Sequence, residues 1–222
     1  MITLNLTDII PFLLLSARWT LLLSAIAFAG GGVGAMLLLI WRYGAPPSGR
    51  VATTIYIQLF QGTPLLLQLF LVFFGLPLLG VEVSPLLAAA IALTLYASAF
   101  LAEIWRGCVD AIPPGQWDAS ASLGLRFLNR MRLVILPQAL KIAVPPTVGF
   151  LVQLVKSTAL ASIVGFTELT RTGQIVANAT FQPFVIYGLV ALIYFAICYP
   201  LTLGSRVLER RLRTVTHPAK AD

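Results

Sequence analysis

The sequence predicts an all-α, polytopic membrane protein with five transmembrane helices and one long cytoplasmic loop. Three observations carry this reading. Of 222 residues, 59% are hydrophobic and only 10% charged, where a soluble domain carries about 25% charged residues; the mean hydropathy is +0.92. Charge-free stretches recur at close to the roughly 20 residues a helix needs to cross a bilayer. The basic residues fall almost entirely to one side of those stretches. This composition excludes an ordinary soluble globule and a disordered chain. Fifteen Lys and Arg against eight Asp and Glu give a net charge of +7, which suits anionic lipid and cytoplasm rather than nucleic acid. Two cysteines, Cys108 and Cys198, and one histidine, His217, exclude a disulfide framework and are too few for a Cys/His zinc cluster.

The uncharged stretches are 19–41, 51–81, 83–102, 142–155 and 172–205. The first three are long enough as they stand. The fourth spans only if Lys156 is tolerated and the helix runs on to about 164. In the fifth, Pro183 marks a helix start. Within the second, Pro64 bends the helix and Pro77 ends it. The expected spans are therefore 19–41, 53–76, 85–106, 142–164 and 184–206. They are flanked by an extracytoplasmic N-terminal segment (1–18), a loop (107–140) and a cytoplasmic tail (207–222). The leader MITLNLTDIIPF has no positive charge and the run after it is too long for a signal-peptide core, so a cleavable signal is not expected. Trp19 and Trp41 bracket the first span about 33 Å apart, as interfacial aromatics do.

With five spans, the loops at 42–52 and 107–140 share one side with the C-terminal tail. That side holds Arg42, Arg50, Arg106, Arg126, Arg130, Arg132, Lys141, Arg206, Arg210, Arg211, Arg213 and Lys220, against Arg18 and Arg171 on the other. The positive-inside rule makes this basic end cytoplasmic and places the N-terminus outside. Glu209, Arg210, Arg211 and Arg213 read as an anchor for the last span, and His217 as inert.

The loop at 107–140 is long enough to need a job. Pro113-Pro114-Gly115 makes a turn, 116–123 is helix-prone, and Gly124 stands where a helix C-cap belongs. A second run, 125–135, carries Arg126, Arg130 and Arg132 among apolar residues and is expected to stop at Pro137. From these features alone the loop is a basic amphipathic helix pair lying on lipid headgroups.

The spacing adds more. Asp118-Ala119-Ser120, three residues, Gly124, nine residues, then Val134-Ile135-Leu136-Pro137 resembles the signature loop of bacterial ABC-importer permeases, E-A-A-x3-G-x9-I-x-L-P. The lead-in IPPGQWDASASLG resembles the polar amino acid branch. Three further segments resemble that branch in order: Gln61-Gly62-Thr63-Pro64 its R-G-T-P, 100–107 (FLAEIWRG) its Y-L-A-E-I-x-R-G, and 156–162 (KSTALAS) its K-D-T-S-L-A-S. Glu168-Leu169-Thr170 matches E-L-T. Asp118, Ser120, Gln61 and Ser157-Thr158-Ala159 depart mildly from these patterns.

The resemblance implies the fold of an importer permease whose loop docks a coupling helix onto a separate cytoplasmic ATPase. Asp118, Ala119, Ser120, Ala121, Gly124, Leu136 and Pro137 are then the coupling residues. Small side chains let another backbone approach, and glycine allows a positive φ. Asp118 suits a helix N-terminus. The implied partners are two ATPase subunits carrying ATP and magnesium, a second copy or a related permease, an extracytoplasmic solute-binding protein, and membrane lipid. The site is a bacterial inner membrane. No cofactor, metal or catalytic residue is expected in this chain. It contains no G-x4-G-K-[ST], and the glycine run in the first span reads as close helix packing through Gly30 and Gly34.

Ionisable residues inside spans are functional candidates. Lys156, about 22 Å along its helix from Lys141, either lines the pathway or serves a structural end, by pairing (with Glu168, for instance) or by reaching the outer headgroups. Ser157 and Thr158 flank it. Glu103 forms an i,i+3 pair with Arg106, or serves as a cytoplasmic gate or as a site for a substrate amine. Gln61, Thr63 and Gln68 bring polarity to the second span, where Gln61 and Gln68, seven apart, share a face. Pro64 and Pro145-Pro146 free carbonyls that protein or a cavity must satisfy. These features fit either a pathway lined by spans two to four or core packing. The expected function is the permease subunit of an ATP-driven importer for polar or charged amino acids, with hydrolysis on a partner. The alternative is an ion-gradient-driven transporter or channel. That reading needs a deep carboxylate relay, whereas Glu103 lies near one surface.

Overall fold

The computed structural model describes residues 6–44 and 47–216, with side chains over 8–44 and 47–210. Every element among them is helical: α1 (Leu6–Gly44), α2 (Pro47–Gly62), α3 (Leu65–Leu78), α4 (Pro85–Asp110), α5 (Pro114–Ser122), α6 (Phe127–Arg130), α7 (Leu136–Ser157), α8 (Leu169–Thr180) and α9 (Pro183–Thr216). His217 and Lys220 lie outside the described residues, as do the side chains of Arg211 and Arg213. Four helical stretches are long and apolar enough to cross a membrane, five if α2 and α3 count as one broken span.

The helix of the first span begins at Leu6, well ahead of 19. Ile9, Leu13 and Ala17 recur every four residues, so they form one stripe, and they are buried against Leu169, Val176 and Ile186 of α8 and α9. That burial extends the helix into the stretch expected to lie outside the spans. Further along, α1 runs against α4 with almost nothing between the backbones. A Cβ on Gly31 would stand 2.5 Å from Ala97 Cβ, and one on Gly34 2.8 Å from Ser98 Cβ. The close packing expected of the glycine run is present, and Gly31 is its tightest point.

The second span is two helices. The chain turns by 99° between α2 and α3, because Pro64 offers no N–H and its ring blocks the helical path. Across this break Gln61 and Gln68 no longer share a face: Gln61 is exposed and Gln68 buried. The seven-residue repeat holds only along an unbroken helix.

Helix α4 starts cleanly, with Ser84 Oγ accepting from Leu87 N–H at 3.2 Å and Pro85 in the first turn. Its alanines, Ala88, Ala89, Ala92 and Ala97, are fully buried, and around it gather α1, α3 and α7 in the main core. At the basic end, Pro137 does not stop the second loop run. Residues Met131–Ile135 form a wide π turn, and the helix continues from α6 through α7 into a 3-10 turn, Thr158–Ser162. Pro137 sits in the first turn of α7, directly after the π turn. The proline signal was real, but a π turn absorbed it. Helix α9 starts at Pro183, as expected.

Candidate functional site

Helix α5 and the turn after it form a surface handle at the basic end. The Gly124 N–H donates to Ala121 O at 2.9 Å and the Leu125 N–H to Ser120 O at 3.3 Å, with Gly124 at φ +72°. This is a Schellman closure, which requires a left-handed residue at that point. Asp118, Ala119, Ala121, Ser122 and Gly124 are exposed, and so are Leu136 and Pro137. Ser120 differs: it is 3% exposed and its hydroxyl donates to Trp117 O. One face of the handle is therefore free and the other is anchored. The anchor is a cluster of Val109 in the last turn of α4 and Ile112 just after it with Met131, Ile135 and Ala139, against which Trp117 packs. Gln138 Nε2 adds a bond to Gln116 Oε1 at 3.2 Å. The handle is thereby fixed to the ends of α4 and α7 together.

The elbow between α2 and α3 is the second polar feature. In a helix Phe60 O would accept from residue 64, which is proline. Gln68 Nε2 takes that place, donating to Phe60 O at 2.8 Å and to Thr63 Oγ1 at 2.9 Å. The Thr63 hydroxyl donates to Leu59 O at 2.8 Å. Thr63 thus serves the broken backbone, while Gln61 is free. Gln68 is the residue that holds the bend.

At the basic end of α4, Arg106 grips Glu103 through two bonds, Nε to Oε2 at 2.8 Å and Nη2 to Oε1 at 2.6 Å. It also reaches Asp110. Glu103 makes the i,i+3 pair, and Asp110 extends it by a further turn. At the far end of α7, Lys156 is exposed, Ser157 half-buried and Thr158 fully buried. Among the described residues no carboxylate lies within salt-bridge distance of Lys156, so the pair with Glu168 is not formed. Thr158 donates to Val155 O at 2.7 Å and serves its own helix.

Glu168 has a different role. It is fully buried and joins three elements. Its Oε1 accepts from Arg171 N–H at 3.0 Å and so caps α8. Its Oε2 accepts from Tyr194 of α9 at 2.9 Å and from Thr20 of α1 at 3.2 Å. Burial pushes the carboxyl above its usual range, against the opposing pull of these hydrogen bonds. Among the described residues no group of three or more His, Cys, Asp or Glu side chains is placed to hold a metal.

A family model described as the binding-protein-dependent transport system inner membrane component matches residues 34–214. The chain belongs to that family. The permease is 34% identical over 201 residues to the probable amino-acid ABC transporter permease protein YckA of Bacillus subtilis, covering 90% of this chain and 89% of that one. It is 34% identical to the glutamine transport system permease protein GlnP of Escherichia coli, covering 92% of this chain and 94% of that one. Among solved structures, the crystal structure of an amino acid ABC transporter with histidines matches with a TM-score of 0.88 and 30% identity. That match covers 95% of this permease and all of that chain. A chain of the inward-facing MetNI methionine ABC transporter shares the fold at a TM-score of 0.71 and 24% identity. The all-α, multi-pass permease architecture expected from the sequence is thus the architecture of the family, and the protein is an ABC-importer permease.

Sequence reasoning missed Gln68 as the pin of the elbow and Glu168 as the knot of three helices. The only local hints were Gln68 four residues after Pro64 and the Glu-Leu-Thr start of α8. The partners Thr20 and Tyr194 lie 148 and 26 residues from Glu168 in the chain.

Proposed function

We propose that this permease carries polar or charged amino acids inward, driven by ATP that two cytoplasmic subunits hydrolyse. The observation that carries the proposal is the handle: a short helix with a free face of small residues, anchored to the ends of two membrane helices. Movement of the handle by the closing ATPase pair tilts α4 and α7 and opens the pathway on the other side. For this to happen ATP must favour the closed state. Asp118, Ala119, Ala121 and Gly124 meet the ATPase, Ser120 fixes the helix, and Leu136 and Pro137 border the contact. ATP and magnesium sit on the partner.

The pathway lies between this chain and a second permease, with Gln61, Thr63, Glu103, Lys156, Ser157 and Thr158 as its polar candidates. An extracytoplasmic binding protein delivers the amino acid. The basic end faces the cytoplasm of a bacterial inner membrane and the N-terminus faces outward, on the charge asymmetry. The amino acid class is supported by the names of the relatives in both comparisons.

Reconstitution tests the whole reading. Liposomes carrying the permease with its ATPase and binding protein should accumulate amino acid only with ATP inside the compartment that holds the ATPase. Uptake by the permease alone, driven by an ion gradient, would sink it in favour of the secondary-transporter alternative. Orientation is tested separately by Ser122→Cys, which a membrane-impermeant thiol reagent should fail to label from outside intact cells.

A further inference from the structure

Beside the handle's anchor lies a cleft of about 320 Å³, walled by the last turns of α1, by α4 and by the α6–α7 stretch. Its volume falls in the roughly 300–1,000 Å³ range of small-molecule sites. Its walls are apolar, and Tyr43 lies at one edge. The mouth is framed by Met36, Ile40, Leu128 and Leu140, each more than half exposed. That apolar surface continues along α1 through Val33 and Leu37. Met36 stands about 8 Å inside Trp41 along the helix axis, so the mouth opens at the depth where acyl chains begin.

The basic residues here are unbalanced. Among the described residues no carboxylate lies within salt-bridge distance of Arg126, Arg130, Arg132 or Lys141. Arg130 Nε is buried without a partner, and its Nη2 reaches only Leu125 O, at 3.4 Å. An occupant must therefore be apolar along its body, resident in the membrane and negative at its head.

We propose that this cleft holds an acyl chain of an anionic phospholipid, whose headgroup meets Arg126 and Arg130. A bound chain would touch Val109, Met131 and Ala139, which also belong to the cluster that anchors the handle. The lipid then pads the joint through which the handle moves. A second permease copy or the ATPase could cover the same face, and the test separates these occupants.

A photo-crosslinking amino acid is placed at Met36, at Leu128 and, as a control, at Leu71 on α3, which is 73% exposed. Membranes of cells carrying the complete transporter are irradiated and the adducts weighed. Adducts at Met36 and Leu128 should be phospholipids enriched in anionic headgroups over the bulk extract, while Leu71 reports the bulk ratio. Arg126→Gln with Arg130→Gln should abolish the enrichment. Adducts to another protein chain at Met36 or Leu128, or lipid adducts there at the bulk ratio, overturn the proposal. If the double variant fails to assemble, the comparison with Leu71 in the otherwise native chain still decides.

Discussion

Glu168 shows how much one side chain can do when it is buried with hydrogen bonds but no cation. Burial raises its pKa, so its protonated form favours the folded state. That contribution is complete below the ordinary carboxyl value of about 4.3, and is lost as pH rises through the shifted value. Thermal unfolding of the detergent-purified protein is expected to show stability gained on acidification over that interval. Glu168→Gln should flatten the pH dependence relative to the native chain, and an unchanged slope would show that Glu168 does not contribute. At this scale the sequence was legible where the signal was local. The glycine run in α1 reads as close packing because only glycine leaves room for it, and Gly124 reads as a cap because the closure is built from its neighbours. The Glu168 knot was not legible, because two of its bonds reach into the distant α1 and α9.

The elements differ in how their breaks are repaired. At Pro64 the chain turns sharply and Gln68 supplies the donor that proline lacks. Gln68→Leu leaves Phe60 O without a partner, a cost of about 1–3 kcal/mol, measurable as a lowered unfolding temperature with the apolar burial kept. At Pro137 a π turn keeps the helix running. The sequence marks both prolines but does not say which becomes a corner, since that depends on what packs around them. The handle gives a sharper test. Gly124 has open space around it, and only its positive φ restrains the choice of residue. Gly124→Val imposes a left-handed cost of about 1–2 kcal/mol with no clash. ATP-driven uptake should fall sharply while the amount of protein in the membrane stays near native, and normal uptake would separate the Schellman closure from coupling.

Across the whole molecule, hydropathy and the charge-free runs foretold the all-α, multi-pass class, because a bilayer demands apolar helices of about that length. They said nothing of α8, the short helix between the last two spans, whose residues after Arg171 are uncharged and so fell within the fifth stretch. Nor did they foresee that α1 runs on to meet α8 and α9, for that contact forms only when the bundle closes. Helix α4 organises this closure: it touches α1 through glycine, is bonded to α7 by Trp105 Nε1 to Thr147 Oγ1 at 2.9 Å, and leads into the anchored handle.

Backbones that meet without side chains between them have no lubricating layer, so α1 and α4 travel as a single strut. Alternation between the two faces of the membrane must then flex elsewhere, at the Pro64 corner or in the wide turn at 131–135. Thr94 Cβ lies 3.7 Å from where a Cβ on residue 30 would stand, within the roughly 3.5–4.5 Å of a natural disulfide. Riveting the strut with Gly30→Cys and Thr94→Cys is therefore expected to leave ATP-driven uptake running under oxidising conditions, with reductant as the control. Arrest by that bond, relieved by reductant, would mean that the two helices slide after all.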